Sequence, residues 1–185
     1  LVTTVSGDAY GIGGDISGDV KVDGLTGLTA KAADGDAAGI FSMDNSKVKI
    51  TMDSDKINND ILVHSVTGGN AYGAHATGDS NITFANVRNM VVSADAGDAF
   101  GLFANDPSTI IGDVESITVT ALNNAYGAFA WDDGIINTVM DGDITVRSTG
   151  TGKAIGIGAV NSSDVTITGL KDLTVTTADG YARGI

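Results

Sequence analysis

The chain has 185 residues and a formal net charge of −13, from 23 acidic and 10 basic side chains. An acidic surface of this kind repels phosphate backbones, so the composition argues against nucleic-acid binding. Cysteine is absent, which excludes disulfides and thiolate metal sites, and no apolar run is long enough to predict a membrane span.

Glycine is unusually frequent, with 26 residues, whereas proline occurs once. Many glycines with almost no proline indicate tight corners between paired strands. The larger residues are mostly Val, Ile and Thr, which favour strands, and no window shows an apolar period of 3.6 residues. We therefore predict an all-β chain of one domain with almost no helix.

A short motif of alanine, a mostly aromatic residue, glycine and an apolar residue recurs along the chain. In chain order it reads GDAYGIGG (7–14), GDAAGIFS (35–42), GNAYGAHA (69–76), GDAFGLFA (97–104), NNAYGAFA (123–130), GKAIGIGA (152–159) and GYARGI (180–185). The motif glycines are Gly11, Gly39, Gly73, Gly101, Gly127, Gly156 and Gly184, at spacings of 28, 34, 28, 26, 29 and 28 residues. A period of roughly 20–50 residues is typical of a solenoid.

Two more strands follow the motif strand in each repeat. A β-branched residue lies nine positions after each of the first six motif glycines, at Val20, Val48, Ile82, Ile110, Ile136 and Val165. A third, alternating strand precedes the next motif: LTAKA (28–32), ILVHSV (61–66), MVVSA (90–94), ITVTA (117–121), ITVRS (144–148) and LTVTT (173–177). Asp, Asn, Ser and Gly at the corners are turn residues.

Stacking these repeats pairs like strand with like strand in parallel. The sequence thus predicts a parallel β-helix of about six coils, with about 28 residues and three short strands per coil and three sheets around one core. A β-sandwich would not require columns of like residues, and a propeller blade needs about 40 residues. The longest interval predicts an inserted loop at 52–60. Because 1–185 begins and ends in the same part of the repeat, we expect a single β-helix segment of a longer repeat protein.

The AYGI and AFGL blocks, with their Asx and Ser turns and ITVT-like strands, resemble the passenger regions of bacterial autotransporters and related large surface adhesins. The resemblance covers the whole chain. It implies a pectin-lyase-like, right-handed β-helix that is secreted to the bacterial cell surface. It also implies a role as stalk or adhesin, which would connect the chain with virulence.

Acidic corners are the first candidates for chemistry. The segments 7–19 and 140–143 bring Asp and Gly together, which suits an incidental Ca²⁺, but ordinary Asx turns explain them better. The densest acidic spots for paired-carboxylate catalysis are WDDG (131–134) and DSDKINND (53–60). No basic or aromatic cluster brackets either spot, and His64 and His75 lie on different strands. We therefore predict no catalytic residue, no metal site and no cofactor.

The motif strand contains the candidate binding face. We predict that the apolar columns on either side of the motif glycine, with Tyr10 and Tyr72 in the first, face the core, while the Ala and Gly columns face outward. The candidate face comprises Phe41, His75, Phe103, Phe129 and Trp131. On the outside, these rings would offer a surface to a glycan or to another rod. The cost of exposing large rings instead favours turning the first four inward at the corner.

These patterns predict a non-catalytic structural or adhesive rod segment of a secreted bacterial surface protein. A side face or the 52–60 loop would contact surface glycans, or proteins of a host or neighbouring cell. One alternative is a self-assembling extracellular filament, because open strand edges invite end-to-end stacking. The other is a polysaccharide-active β-helix enzyme.

Overall fold

Each sequence repeat forms one coil of a parallel β-solenoid in a computed structural model that describes residues 1–55 and 57–185. The strands in chain order are β1 (Val2–Thr4), β2 (Ala9–Gly14), β3 (Asp19–Leu25), β4 (Leu28–Ala32), β5 (Ala37–Met43), β6 (Lys47–Met52), β7 (Ile61–Ser65), β8 (Ala71–Thr77), β9 (Asn81–Ala94), β10 (Ala99–Ala104), β11 (Thr109–Ala121), β12 (Ala125–Trp131), β13 (Ile135–Met140), β14 (Ile144–Ser148), β15 (Ala154–Val160), β16 (Asp164–Thr168), β17 (Leu173–Thr177) and β18 (Ala182–Arg183). The described residues contain no helix, so none that could span a membrane. The all-β prediction is confirmed.

The motif strands form one seven-stranded parallel sheet in the order β2, β5, β8, β10, β12, β15 and β18. Paired residues lie one repeat apart, so that Ala71 lies opposite Ala99, and Ala99 opposite Ala125. The spacing of the motif glycines is therefore the length of a coil. The stacking of about six coils that the sequence predicts is confirmed.

The other two strand positions of each coil belong to one eleven-stranded sheet, so the prediction of three separate sheets is wrong in detail. In the middle of the rod, β9 and β11 each run through both positions as one long strand. Asn86, with a left-handed φ of 61°, bends β9, and the register of β11 shifts between Gly112 and Val114. A single-residue bend replaces a loop at this corner and leaves the ladder almost continuous.

The core is a set of columns in which like residues stack from coil to coil. The β-branched column of the second strands is at most 1% exposed at Val48, Ile82, Ile110 and Ile136. The predicted inward pairs of the third strands are also buried: Ile61 and Val63, Met90 and Val92, Ile117 and Val119, and Ile144 and Val146. These alternations are confirmed, because residues of period two share one face of a strand.

The motif glycines are required by close approach. A Cβ at Gly39 would lie 2.8 Å from the carbonyl oxygen of Gly73 in the next coil and 2.7 Å from Cγ2 of Ile61. The same pair of neighbours, the next motif carbonyl and the first inward residue of the third strand, surrounds the motif glycines from Gly11 to Gly156. Glycine recurs in the motif because no side chain fits there.

The corner before each motif strand is braced by an Asx ladder, which we define as Asp8, Asp36, Asn70, Asp98 and Asn124. Each Oδ1 atom accepts a hydrogen bond from the backbone N–H of the corresponding residue one coil further on, at 2.7–3.0 Å, ending at Lys153. Buried backbone donors need such partners. The acids that the sequence places at turns therefore also join neighbouring coils.

The corner after each motif strand is a left-handed turn. Asp44 and Asn45 have φ angles of 51° and 63°, which Asp and Asn tolerate better than other residues with a Cβ. In the first coil, Ile16 occupies a left-handed position with φ 49° and is 75% exposed. A β-branched residue is strained there and gains little burial in return.

The insertion at 52–60 is attached to the side of the rod, although Lys56 lies outside the described residues. Asn59 is fully buried. Arg88 Nε and Nη2 donate to the two carboxylate oxygens of Asp60 at 3.1 and 3.0 Å. A bidentate pair of this kind fixes the orientation of both side chains. The extra residues therefore interrupt neither sheet.

Candidate functional site

The aromatic residues of the motif strands lie on the outside of the seven-stranded sheet. Tyr10 is 44% exposed, whereas Ala9, Ala71 and Ala99 are at most 1% exposed. The prediction that the tyrosine column faces the core and the Ala column faces solvent is therefore wrong. Alternation from the buried alanine puts the next residue on the outside of the sheet.

A second aromatic column lies beside the first, because the alternation slips by one residue at the motif glycine. In β8, Gly73 and Ala74 are both buried, and His75 then faces outward beside Tyr72. Phe41, Phe103 and Phe129 occupy the same position in their coils. The inward turn favoured for these rings is wrong, but they are largely covered, with Phe129 only 9% exposed.

The two columns cover each other, and we call them the aromatic ridge: Tyr10, Phe41, Tyr72, His75, Phe100, Phe103, Tyr126 and Phe129. Along the rod, the ring centroids of Tyr72 and Phe100 are 5.1 Å apart and those of Phe100 and Tyr126 are 4.7 Å apart, with planes within 8°. Across the ridge, Tyr72 and His75 stack at 4.5 Å. Each such pair contributes about 0.5–1.5 kcal/mol beyond its burial.

His75 is the ionisable group that the ridge perturbs most. It lies between Phe41, Tyr72 and Phe103, and Asn105 Oδ1 is 3.3 Å from its Nε2. Burial lowers the pKa of His75 to about 4, despite opposing contributions from the Asn105 hydrogen bond and from the charge of Asp106. The imidazole is therefore neutral at neutral pH and acts as one more ring of the stack.

The tyrosines are held in their phenol form. Burial, a hydrogen bond that Tyr10 donates to Asp8 Oδ2 at 3.1 Å, and nearby carboxylates raise the pKa of Tyr10 to about 12. Burial and the charge of Asp36 raise the pKa of Tyr72 to about 12. The ridge therefore presents neutral rings at neutral pH, although the chain around it is acidic.

Stacking limits what the ridge can bind. Sugars and other flat ligands contact aromatic faces, and here most faces already touch the ring of the next coil. Trp131, at the end of β12, is 45% exposed, about as much as Tyr10, but it meets Phe129 edge-on, with planes at 90° and centroids 6.4 Å apart. The indole therefore offers a partner an aromatic face, whereas Tyr10 stacks on Phe41.

A groove of about 550 Å³ opens beside Trp131, where the ridge stops at Ile155 and Gly158. We define the Trp131 groove by Tyr126, Phe129, Trp131, Lys153, Val160 and Arg183, which lie along its walls. Its volume lies within the roughly 300–1,000 Å³ typical of small-molecule sites. The ring of Phe129 covers Gly158, since a Cβ at Gly158 would lie 2.8 Å from Phe129.

The acidic candidates belong to turns. Asp132 and Asp133 have left-handed φ angles of 47° and 63°, and Asp132 Oδ1 accepts a hydrogen bond from Asn161 Nδ2 at 2.7 Å. His64 pairs with Asp95 at 2.9 Å on another face of the rod. The described residues contain no group of three or more His, Asp or Glu that could hold a metal ion.

No family model matches the chain, and neither the curated proteins nor the solved structures include a match. The β-solenoid architecture therefore rests on the parallel pairing of like strands and on the period of the sequence.

Five of the candidate residues are brought onto one side of the rod: Phe41, His75, Phe103, Phe129 and Trp131. Sequence reasoning missed the other aromatic column and the two cations of the groove. The alternation of alanine and aromatic residues could have shown the other aromatic column. A column of small residues is typical of a tightly packed inner face, and the neighbouring residues must then lie outside. An alignment of the repeats on the motif glycine could have shown that Lys153 and Arg183 lie beside the columns of aromatic residues.

Proposed function

We propose that the chain is a non-catalytic rod segment of a secreted bacterial surface protein, structural along its length and adhesive on the side of Trp131. The proposal places it at the cell surface, as in the autotransporter passengers and large adhesins that the repeat resembles. Its partners would be surface glycans, or proteins of a host or neighbouring cell.

One observation carries the structural part: the same contacts recur between each coil and the next. The core columns, the Asx ladder and the aromatic ridge all run along the rod. The Asx ladder, for example, joins each coil to the next from Asp8 to Lys153. In a solenoid, such nearest-neighbour contacts add up along the chain. A rod of this construction keeps its length and exposes little flexible backbone to proteases.

The exposed indole supports the adhesive part. Trp131 and the neighbouring Val160 are 45% and 43% exposed, next to a groove of about 550 Å³. Tryptophan at the centre of a contact surface often dominates binding energy. This favours a site on the side of the rod, where it remains accessible while the rod itself provides reach.

Two measurements test the proposal. Limited proteolysis at neutral pH should leave the chain intact under conditions that digest its acid-unfolded form. Beads coated with the chain should bind cells or a glycan array without releasing product, and Trp131→Ala should lower binding at least fivefold. The matched control is Ile111→Ala, which removes a side chain that is 49% exposed on the other sheet. Equal loss of binding in both variants, or release of sugar product, would contradict the proposal.

A further inference from the structure

Pro107, the only proline of the chain, lies at the corner between β10 and β11. At the equivalent corner of an earlier coil, Asp44 and Asn45 are both left-handed. Proline fixes its own φ near −65°, so at this corner Asp106 alone is left-handed, with a φ of 53°. A residue before proline prefers extended backbone. Asp106 is therefore held in a strained conformation directly before the proline.

The proline also interrupts a row of hydrogen bonds between coils. At this corner, the backbone N–H of Asn45 donates to the carbonyl oxygen of Gly78 at 2.8 Å, and the N–H of Asp79 donates to that of Asp106 at 3.0 Å. Pro107 has no N–H and cannot continue the row. Breaking the bond between Asp106 and Pro107 therefore removes no hydrogen bond donated by the nitrogen atom.

Two donors hold the carbonyl oxygen of Asp106. One is the backbone N–H of Asp79, and the other is Ser108 Oγ, also at 3.0 Å. Ser108 is fully buried, and its Oγ accepts a hydrogen bond from the backbone N–H of Ser80 at 3.1 Å. This leaves the hydroxyl proton of Ser108 for Asp106. Two preorganised donors on one carbonyl oxygen are the arrangement that stabilises an oxyanion when the carbonyl carbon is attacked.

A nucleophile lies beside this carbonyl, in the side chain of the same residue. Asp106 Oδ2 accepts hydrogen bonds from Asn105 Nδ2 at 2.7 Å and from Thr77 Oγ1 at 3.2 Å. No described residue donates to Oδ1, and Asp106 is exposed. Carboxylates act as nucleophiles in covalent catalysis, and a nucleophile within the same residue has a high effective concentration. Asp106 Oδ1 is therefore the available nucleophile.

We propose that the chain cleaves itself at the bond between Asp106 and Pro107. Asp106 Oδ1 attacks the carbonyl carbon of its own residue, and the C–N bond to Pro107 breaks as the nitrogen takes up a proton from solvent. This leaves a cyclic anhydride on Asp106. Water then opens the anhydride, so the net reaction consumes one water molecule and yields a carboxylate on Asp106 and a free amine on Pro107.

The reaction is separate from the adhesive role, since each chain reacts once and on no other molecule. Both pieces would remain in one rod. The strand before the bond, β10, pairs with β8 and β12, while the strand after it, β11, pairs with β9 and β13. Each piece therefore keeps partner strands in the other. The product is a rod that is covalently divided at one corner without the loss of a strand pair.

The test compares folded and unfolded protein at one pH, because Asp–Pro bonds are acid-labile in any chain. The protein is incubated at pH 5 and 37 °C, in buffer and in concentrated guanidinium chloride, and cleavage is followed by mass spectrometry. We expect fragments 1–106 and 107–185 to form at least tenfold faster in the folded chain, where the two donors are in place. Hydroxylamine should trap the anhydride as a hydroxamate on the first fragment. The bond between Asp132 and Asp133, at the equivalent corner of the next coil, should stay intact.

Variants identify the groups that act. Asp106→Asn removes the nucleophile but tolerates the left-handed φ, and it should lower the rate at least tenfold. Ser108→Ala removes one donor and should lower the rate at least fivefold, whereas Ser108→Thr keeps a hydroxyl and should retain most of it. The matched control is Ser80→Ala, which removes a buried hydroxyl that donates to the carbonyl oxygen of Ser42 at 2.7 Å. It should change the rate less than twofold.

Equal rates in the folded and the unfolded chain would overturn the inference, because they would show that the fold does not promote the reaction. Cleavage of Asp106→Asn at the wild-type rate would exclude the carboxylate as nucleophile. Equal effects of Ser108→Ala and Ser80→Ala would exclude the oxyanion contact. A folded chain that stays intact at pH 5 while the unfolded chain is cut would reject self-cleavage and leave the adhesive role untouched.

Discussion

His75 offers a test of the aromatic ridge through pH. It is the ionisable ring in a column that otherwise holds Phe41, Phe103 and Phe129, and its side chain stacks on Tyr72 at a centroid distance of 4.5 Å. Replacing it by phenylalanine, His75→Phe, keeps an aromatic ring in the stack and removes the proton-binding site. The variant should therefore alter the pH dependence of stability far more than stability at neutral pH.

The magnitude follows from the two pKa values. Burial lowers the pKa of His75 to about 4 in the folded chain, against 6.5 in the unfolded chain. As pH falls below 6.5, the unfolded state takes up the proton first, so the stability present above this pH is lost progressively until pH passes the folded pKa. At roughly 1.4 kcal/mol per pKa unit, the full loss is about 3 kcal/mol, of which about 2 kcal/mol is lost at pH 4.5.

The assay is urea unfolding of both proteins at pH 7 and at pH 4.5, followed by circular dichroism. Carboxylates contribute to the pH dependence of both proteins, so the difference between them isolates His75. We expect the wild-type chain to lose about 2 kcal/mol more than His75→Phe between the two pH values. Equal losses would refute the argument, because they would show that His75 is not protected from its proton in the folded state.

Three further predictions test the architecture by urea unfolding at pH 7. Gly39→Ala should destabilise the chain by about 1–3 kcal/mol through overpacking, whereas Gly184→Ala, whose Cβ would have no neighbour closer than 3.6 Å, should change stability by less than about 0.5 kcal/mol; similar effects would argue against the close-approach explanation. Ile16→Asn should stabilise by about 1 kcal/mol, since Asn tolerates the left-handed φ of 49°, and a loss would show that Ile16 has packing worth more than its strain. Asp98→Ala should cost about 1–3 kcal/mol because Asn124 N–H and Nδ2 each lose a hydrogen bond of 3.0 Å, while Asp98→Asn keeps an acceptor and should cost less than half as much. Equal costs would remove the Asx ladder from the explanation of stability.

Most of the fold could be predicted from the spacing of one glycine. Because a coil returns the chain to its own position one strand higher, Gly73 and Gly101 must be separated by one full turn, and their spacing of 28 residues is the pairing register of β8 and β10. The hydrophobic columns followed from the same register. The fusion of two strand positions in β9 did not, because it depends on a left-handed residue, Asn86, within an otherwise regular strand.

The facing of the alanine and tyrosine columns was predicted wrongly, whereas the column after the motif glycine, with Ile40 and Leu102, is buried as predicted. Apolar character normally indicates the core, so Tyr72 and Phe100 were expected inside. On the inner face of this strand, Ala71 and Ala99 are fully buried, and so is Leu102 at the position after the motif glycine. Polarity alone could not assign the faces, because the alanine column and the ring column are both apolar. The large rings are sheltered instead by one another, which no single residue of the sequence shows.

The unequal coil lengths have a consequence for how such a rod can change. The intervals between motif glycines range from 26 to 34 residues, yet the paired residues of the motif strands stay in register throughout. Differences in coil length are accommodated at the corners, as at 52–60. If one whole repeat were gained or lost, the coils on either side would therefore form the same contacts between stacked columns as before. Recombination between repeats can therefore lengthen or shorten the molecule in steps of one strand spacing, about 4.8 Å, without a new core having to evolve. Reach would become a quantity that selection can adjust in small increments while the surface chemistry of each retained coil is inherited unchanged.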